Sequence, residues 1–260
     1  MILWLILFFL VIAISFVLAY QSMHDYYESP LFTKVEYSPF LVRLPQNFTA
    51  DLLKRIHQEI SSKDLILSIE RLFKGSKSAL VLYGPREILL KFNAELNLLE
   101  LEDYTSVNKD HIQSWEIGPK DPKNFQVSPN TSVFKSLPPL LDSEQFWWQM
   151  TLQPTSKEAV KNNKVKSLYS LVISKSASQT DQKFFQGQIR AVFLSEDTSR
   201  RLKIATALQD LLDGQLVKLP RPFTGGQIFE FYKQRSLAVG QSVLLTFSSE
   251  DWVNMSKLHS

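Results

Sequence analysis

The chain opens on twenty residues without a charge, MILWLILFFLVIAISFVLAY, followed by the polar stretch QSMHDYYESP. At about 1.5 Å per residue, a helix of that length covers roughly the 30 Å hydrocarbon core of a bilayer. The pattern therefore predicts a transmembrane anchor over residues 1–20. The apolar run is longer than the core of about 7 to 15 residues in a signal peptide, and no Lys or Arg precedes it. Val17-Leu18-Ala19 also fits a weak cleavage site, which leaves export as the alternative.

After a linker over residues 21–33, the segment from Lys34 to Leu44 alternates as a strand and Pro45 closes it. Thr49 can cap a helix in which Leu52, Leu53, Ile56 and Ile60 share one face. LILSIER and SALVLYG read as strands joined by the turn Phe73-Lys74-Gly75-Ser76, Pro85 suits the first turn of a helix reaching Asn93, and LNLLELEDY supplies another strand. Strand, helix, strand, strand, helix, strand is the split βαβ order.

The same order can be read again. HIQSWEIG, QFWWQMTLQ and FFQGQIRAVFLS are strands, Pro129 to Leu137 is a short helix, and SEDTSRRLKIATALQDLLDG is a longer one. In that longer helix Leu202, Ile204, Ala205, Leu208 and Leu211 point to the core and Gly214 ends it, after which IFEFY closes the unit as a strand. The sequence thus predicts an α+β fold, with an N-terminal transmembrane helix followed by two tandem ferredoxin-like (βαββαβ) repeats at 34–104 and 105–232. A strand and short helix at 233–260 complete it. There Ser248 or Ser249 can cap a helix placing Trp252 and Met255 at i, i+3, either packed on the second repeat or docked on a partner.

The net charge of +3 changes this picture little. Residues 1–33 carry Asp25 and Glu28 as their charges, which leaves 29 basic and 24 acidic groups beyond them. That balance lacks the concentrated basic footprint of a dedicated nucleic-acid binder. The absence of cysteine excludes disulfides, thiolate metal sites and cysteine nucleophiles. An insert at 154–182 gathers Lys157, Lys161, Lys164 and Lys166 among Ser, Asn and Gln, either as a solvated loop or as a basic finger for lipid head groups or nucleic acid.

No constellation points to catalysis. Gly75-Ser76-Lys77-Ser78 lacks the glycines of a phosphate loop, no Ser lies in a G-x-S-x-G elbow, and His24, His57, His111 and His259 show no metal-ligand spacing. His57 is expected on a helix surface. Glu100, Glu102 and Asp103 read as a solvated rim. The sequence therefore names no catalytic, cofactor or metal residue. Trp147-Trp148 is the strongest aromatic signal: neighbours on a strand face opposite ways, so one ring should enter the core and the other remain outside for a partner. Trp147, Trp148, Trp252 and Met255 are the candidate docking residues.

Several segments together resemble a known family. VEYSPFLVRLP, LLKFNAELNLLELEDYT, FQVSPNTSVFKSLPPLLDSEQFWWQMTLQP, FFQGQIRAVFLSEDTSRRLKIATALQDLL and LLTFSSEDWVNMSKLHS run in the same order as in the N-terminal region of membrane-anchored, type IV secretion-like conjugal transfer ATPases of candidate-phyla bacteria. The resemblance implies a bacterial domain of unknown function ahead of a P-loop motor, which is expected here on a separate chain. It also implies a single-pass protein held in the lipid bilayer through residues 1–20, with its soluble part in the cytoplasm. The function implied is that of a non-catalytic assembly or docking module of a DNA-transfer-like machine. Homo-oligomerisation and direct nucleic-acid contact stay open, and a small-ligand cleft between the repeats is the alternative function.

Overall fold

The computed structural model describes residues 12, 14–16, 35–63, 65–121, 138–155, 170–173, 183–209, 216–219, 223–238 and 244–256. In the first half, β1 (Tyr37–Val42) leads through a 3-10 turn at Pro45–Asn47 into α1 (Ala50–Ser61). Thr49 caps α1 by accepting from the Leu52 amide, and Leu52, Leu53, Ile56 and Ile60 are all buried to 1 % exposure or less. At about 1.5–3 kcal/mol for each fully buried aliphatic side chain, that one face outweighs anything helix propensity contributes. The hairpin of β2 (Leu67–Lys74) and β3 (Lys77–Pro85) turns at Gly75, whose φ of 55° favours glycine. Two short helices, α2 (Arg86–Leu90) and α3 (Asn93–Leu96), precede β4 (Leu98–Glu100).

The second half contributes β5 (Ile112–Pro119), β6 (Gln145–Thr155), β7 (Ser170–Ile173), β8 (Phe184–Leu194) and β9 (Leu216–Lys218). Its helices are α4 (Thr198–Ala207), capped by Asp197, and α5 (Gly225–Gln234), opened by a Thr224/Gln227 capping box. The chain then forms β10 (Leu244–Ser248) and α6 (Ser249–Ser256).

All ten described strands belong to one sheet. Its path is β4-β1-β3-β2-β6-β8-β10-β7, with β5 beside the far half of β8 and β9 beside β5. Every pairing is antiparallel except β10 with β7. The two halves are joined where β2 pairs with β6 from Leu67↔Leu152 to Lys74↔Gln145. One face carries Leu67, Ile69, Trp148, Met150, Phe185, Ile189 and Trp115 beneath α1, α4 and α6. The other lies beneath α5, whose Phe229 and Tyr232 pack on Trp147 and Val192.

This architecture corrects the expected fold. Two tandem ferredoxin-like repeats would each close their own sheet, whereas β2 and β6 share eight register pairs and make a single mixed sheet. IFEFY is not a closing strand but the middle of α5, because the Thr224/Gln227 box starts a helix that buries Ile228, Phe229, Phe231 and Tyr232. Leu202, expected in the core, is 61 % exposed, while Ile204, Ala205 and Leu208 are buried. The helix expected at Pro129 to Leu137, Leu211 and Gly214 lie outside the described residues.

The expected transmembrane anchor is corrected as well. Only residues 12 and 14–16 of that stretch are described, and among the described residues no helix is long and apolar enough to cross a membrane. A span needs about twenty apolar residues in one helix. The membrane, single-pass and bilayer-partner expectations built on residues 1–20 are withdrawn with it.

Candidate functional site

Alternation along β2 places Leu67, Ile69, Arg71 and Phe73 on one face, so a guanidinium falls in register with the core. Arg71 is only 8 % exposed. Its Nε donates to the carbonyl of Ser256 at 2.6 Å, in the last turn of α6, where unpaired carbonyls favour a cation. Among the described residues no carboxylate pairs with it. Arg200 and Arg235, by contrast, each hold a buried acid. Burial pushes the Arg71 guanidinium down to about 10.

Arg71 also lines a cavity of about 640 Å³. The cavity follows from strand register. β1 and β3 pair as far as Leu41↔Val81, but β3 continues against β2 to Lys77. Beyond Val42 the chain leaves the sheet, with the Arg43 and Leu44 amides donating to Asn97 and Leu96, and Pro45 begins the turn into α1. The edge of β3 from Lys77 to Leu80 is thus left without β1, and the cavity fills that gap. Leu41, Val42, Phe48 and Leu80 form apolar walls, while Arg43, Gln46 and Ser78 add polar groups beside Arg71.

A second concentration of polar groups lies on the opposite face, under α5. Glu70 accepts from Ser68 at 2.9 Å, from Gln149 at 3.0 Å, from Arg235 at 3.3 Å and from the Tyr104 hydroxyl. Gln149 also donates to the Tyr232 carbonyl and accepts from Thr151 and Arg190, so both its donors and its oxygen are used. Arg190 reaches Gln188 at 2.6 Å, and Gln188 in turn grips Ala238 through both ends of its amide. Burial opposes the charge of Arg235, but Glu70 and Asp103 outweigh it and hold the guanidinium above its ordinary value. Burial likewise pushes the Tyr232 hydroxyl well up. Glu70, Gln149 and Tyr232 are fully buried, and their hydrogen bonds close on one another. This layer clamps α5 and the segment around Tyr104 to the sheet.

The candidate docking residues are all internal. Trp147 is 1 % exposed, edge-on to Tyr104 at 5.1 Å and beside Tyr232 at 5.7 Å. Trp148 is buried on the opposite face. Trp252 lies edge-on to Phe247 at 5.2 Å, its indole N–H donates to the Phe185 carbonyl at 3.4 Å, and Met255 is buried in the same core. Trp148, Trp252 and Met255 thus share a face that Trp147 does not. The expected outward ring is covered by this chain's own tyrosines. Lys157, Lys161, Lys164 and Lys166 lie outside the described residues. His57, expected on a helix surface, is 7 % exposed, with Nε2 at 3.0 Å from the Phe184 carbonyl and its ring edge-on to Phe185.

Arg71 escapes a search for catalytic motifs because a lone arginine belongs to none. Its signal is a charge at a position where the strand's period demands an apolar residue. Among the described residues no group of three metal-ligating side chains occurs. No family model matches the chain, and no curated protein matches it.

Proposed function

We propose that this chain is a non-catalytic binding module whose ligand occupies the cavity between β1, β3 and the turn before α1. The observation that carries the reading is Arg71, a buried arginine that lines the cavity and whose one hydrogen bond among the described residues is made by Nε. A cavity of this volume suits a small ligand, or the end of a larger one, with apolar walls for its body and few polar groups to orient it. Isotope-labelled protein titrated with small molecules of neutral, cationic and anionic classes tests it. Amides of Val42 to Phe48 and Ser78 to Leu80 should shift for one class and stay still in a Ser78→Trp variant that fills the opening. No shift there with any class would sink the reading.

Work beside a separate P-loop ATPase, the partner implied by the resemblance, is the second reading. It is favoured by Leu141 and Leu202, which are 56 % and 61 % exposed. They sit on two segments that Glu144 and Arg200 tie together through paired bonds of 2.8 and 2.7 Å. A contiguous exposed apolar patch marks a protein-docking site, and this reading takes Leu141 and Leu202 to belong to one. Trp252 and Met255 are spent within the core and are not part of this surface. A Leu141→Glu/Leu202→Glu variant that keeps its fold but no longer co-purifies with the ATPase would support the reading, and unchanged co-purification would exclude this surface.

A further inference from the structure

We infer that the group held in the cavity is a single carboxylate carried on an apolar body, gripped end-on by Nη1 and Nη2 of Arg71. The inference rests on the cavity being a binding site and adds the chemistry of what binds. With Nε committed to the Ser256 carbonyl at 2.6 Å, the guanidinium has its terminal fork left, and a planar carboxylate matches that fork with two parallel bonds.

Charge narrows the class further. A buried cation without a counter-charge is unfavourable, and one guanidinium calls for one negative charge. Inorganic phosphate would bring a surplus negative charge against Leu41, Val42, Phe48 and Leu80, and of the described residues lining the cavity the exposed Arg43 is the one other cation to answer it. The same apolar walls disfavour a small hydrophilic acid, because they gain nothing until hydrocarbon covers them. A fatty or aromatic acid meets these demands, and so does the carboxyl terminus of a peptide ending in an apolar residue.

The guanidinium that would hold the ligand also holds the last turn of α6. Occupancy of the cavity should therefore make that turn harder to open, since Arg71 is then fixed from both sides.

The test uses the full chain and matched pairs: hexanoate against hexanamide, 4-phenylbutyrate against its amide, and acetyl-Ala-Leu with a free carboxyl terminus against the same peptide amidated. Inorganic phosphate is titrated alongside. Each acid should bind about tenfold or more tightly than its amide, as expected for charge-assisted bonds to a buried group. That difference should vanish in Arg71→Met, and it should shrink in Arg71→Lys, which keeps the charge but not the fork. The free acids and the peptide pair together tell which source of carboxylate fits. If acid and amide bind alike, or phosphate binds more tightly than every carboxylate, the inference is overturned while the cavity remains a binding site. If none of the probes binds, the binding reading falls as well. Should Arg71→Met fail to fold, Arg71→Lys and the acid-to-amide ratio in the unaltered chain decide.

Discussion

The guanidinium of Arg235 donates from Nε to the carboxylate of Glu70 at 3.3 Å, across 165 residues of sequence and with both groups buried. Arg235 stands at the end of α5 with a φ of 51°, the left-handed region that ordinarily favours glycine. Its side chain is held at 4.4 Å over the Tyr83 ring and reaches Asp103 as well. A carboxylate can only accept, so Tyr104 gives its hydroxyl proton to Glu70, and the Tyr232 hydroxyl, 3.1 Å away, donates to Tyr104. The pair thus joins β2 of the first half to α5 of the second.

Arg235→Met removes the cationic partner of the fully buried Glu70 carboxylate. Unfolding in urea should show a loss of about 3–5 kcal/mol. Adding Glu70→Gln should cost less than the sum of the two single changes. Additive losses would show that the two residues do not act as a pair.

Gly187 lies where β8 passes beneath α6. A Cβ there would meet the Thr151 carbonyl at 2.6 Å and Trp252 Cζ2 at 3.0 Å. Gly187→Ala should lower stability by about 1–3 kcal/mol, because neither β6 nor the indole has room to retreat. Combined with Trp252→Phe, the loss should be smaller than the sum. A neutral Gly187→Ala would mean that α6 packs more loosely than its buried Trp252 and Met255 indicate.

Burial holds the His57 imidazole below its ordinary value of 6.5, with the Phe184 carbonyl opposing more weakly. Nε2 bonds that carbonyl, so an added proton must go to Nδ1, which is buried without a hydrogen-bond partner. The unfolded chain therefore accepts a proton at a higher pH than the folded one. The stability from neutral His57 is complete above about pH 6.5 and is lost as pH falls through the lowered native value. Between pH 7.5 and 5 the parent protein should lose more stability than His57→Leu. Parallel profiles would remove His57 as the cause.

Much of the local structure was legible. Thr49 and the apolar face of α1 follow from helical spacing, and the turn at Gly75 from its glycine. The union of the halves was not, because alternation specifies which face of β2 is apolar but not which strand lies at its edge. The polar layer misled in a particular way. Gln149, Thr151, Gln188 and Arg190 alternate with apolar residues as solvent-facing positions do, although they share the covered face of the sheet with Trp147. These side chains instead satisfy one another beneath α5, and that helix was itself disguised by the strand-like residues of IFEFY.

Arg71 was hidden for a related reason. A lone charge within an apolar register belongs to no motif, and its meaning emerges only where β1 leaves β3 and opens the cavity beside it. The most direct measurement follows the Arg71 guanidinium itself, by nitrogen NMR of arginine side chains during titration with hexanoate. Its Nη signals should shift and their rotation slow as the ligand binds, while Nε, already bonded to Ser256, moves little. Nη signals that stay unchanged while amides around the cavity respond would contradict the assignment of Arg71 as the group that holds the ligand.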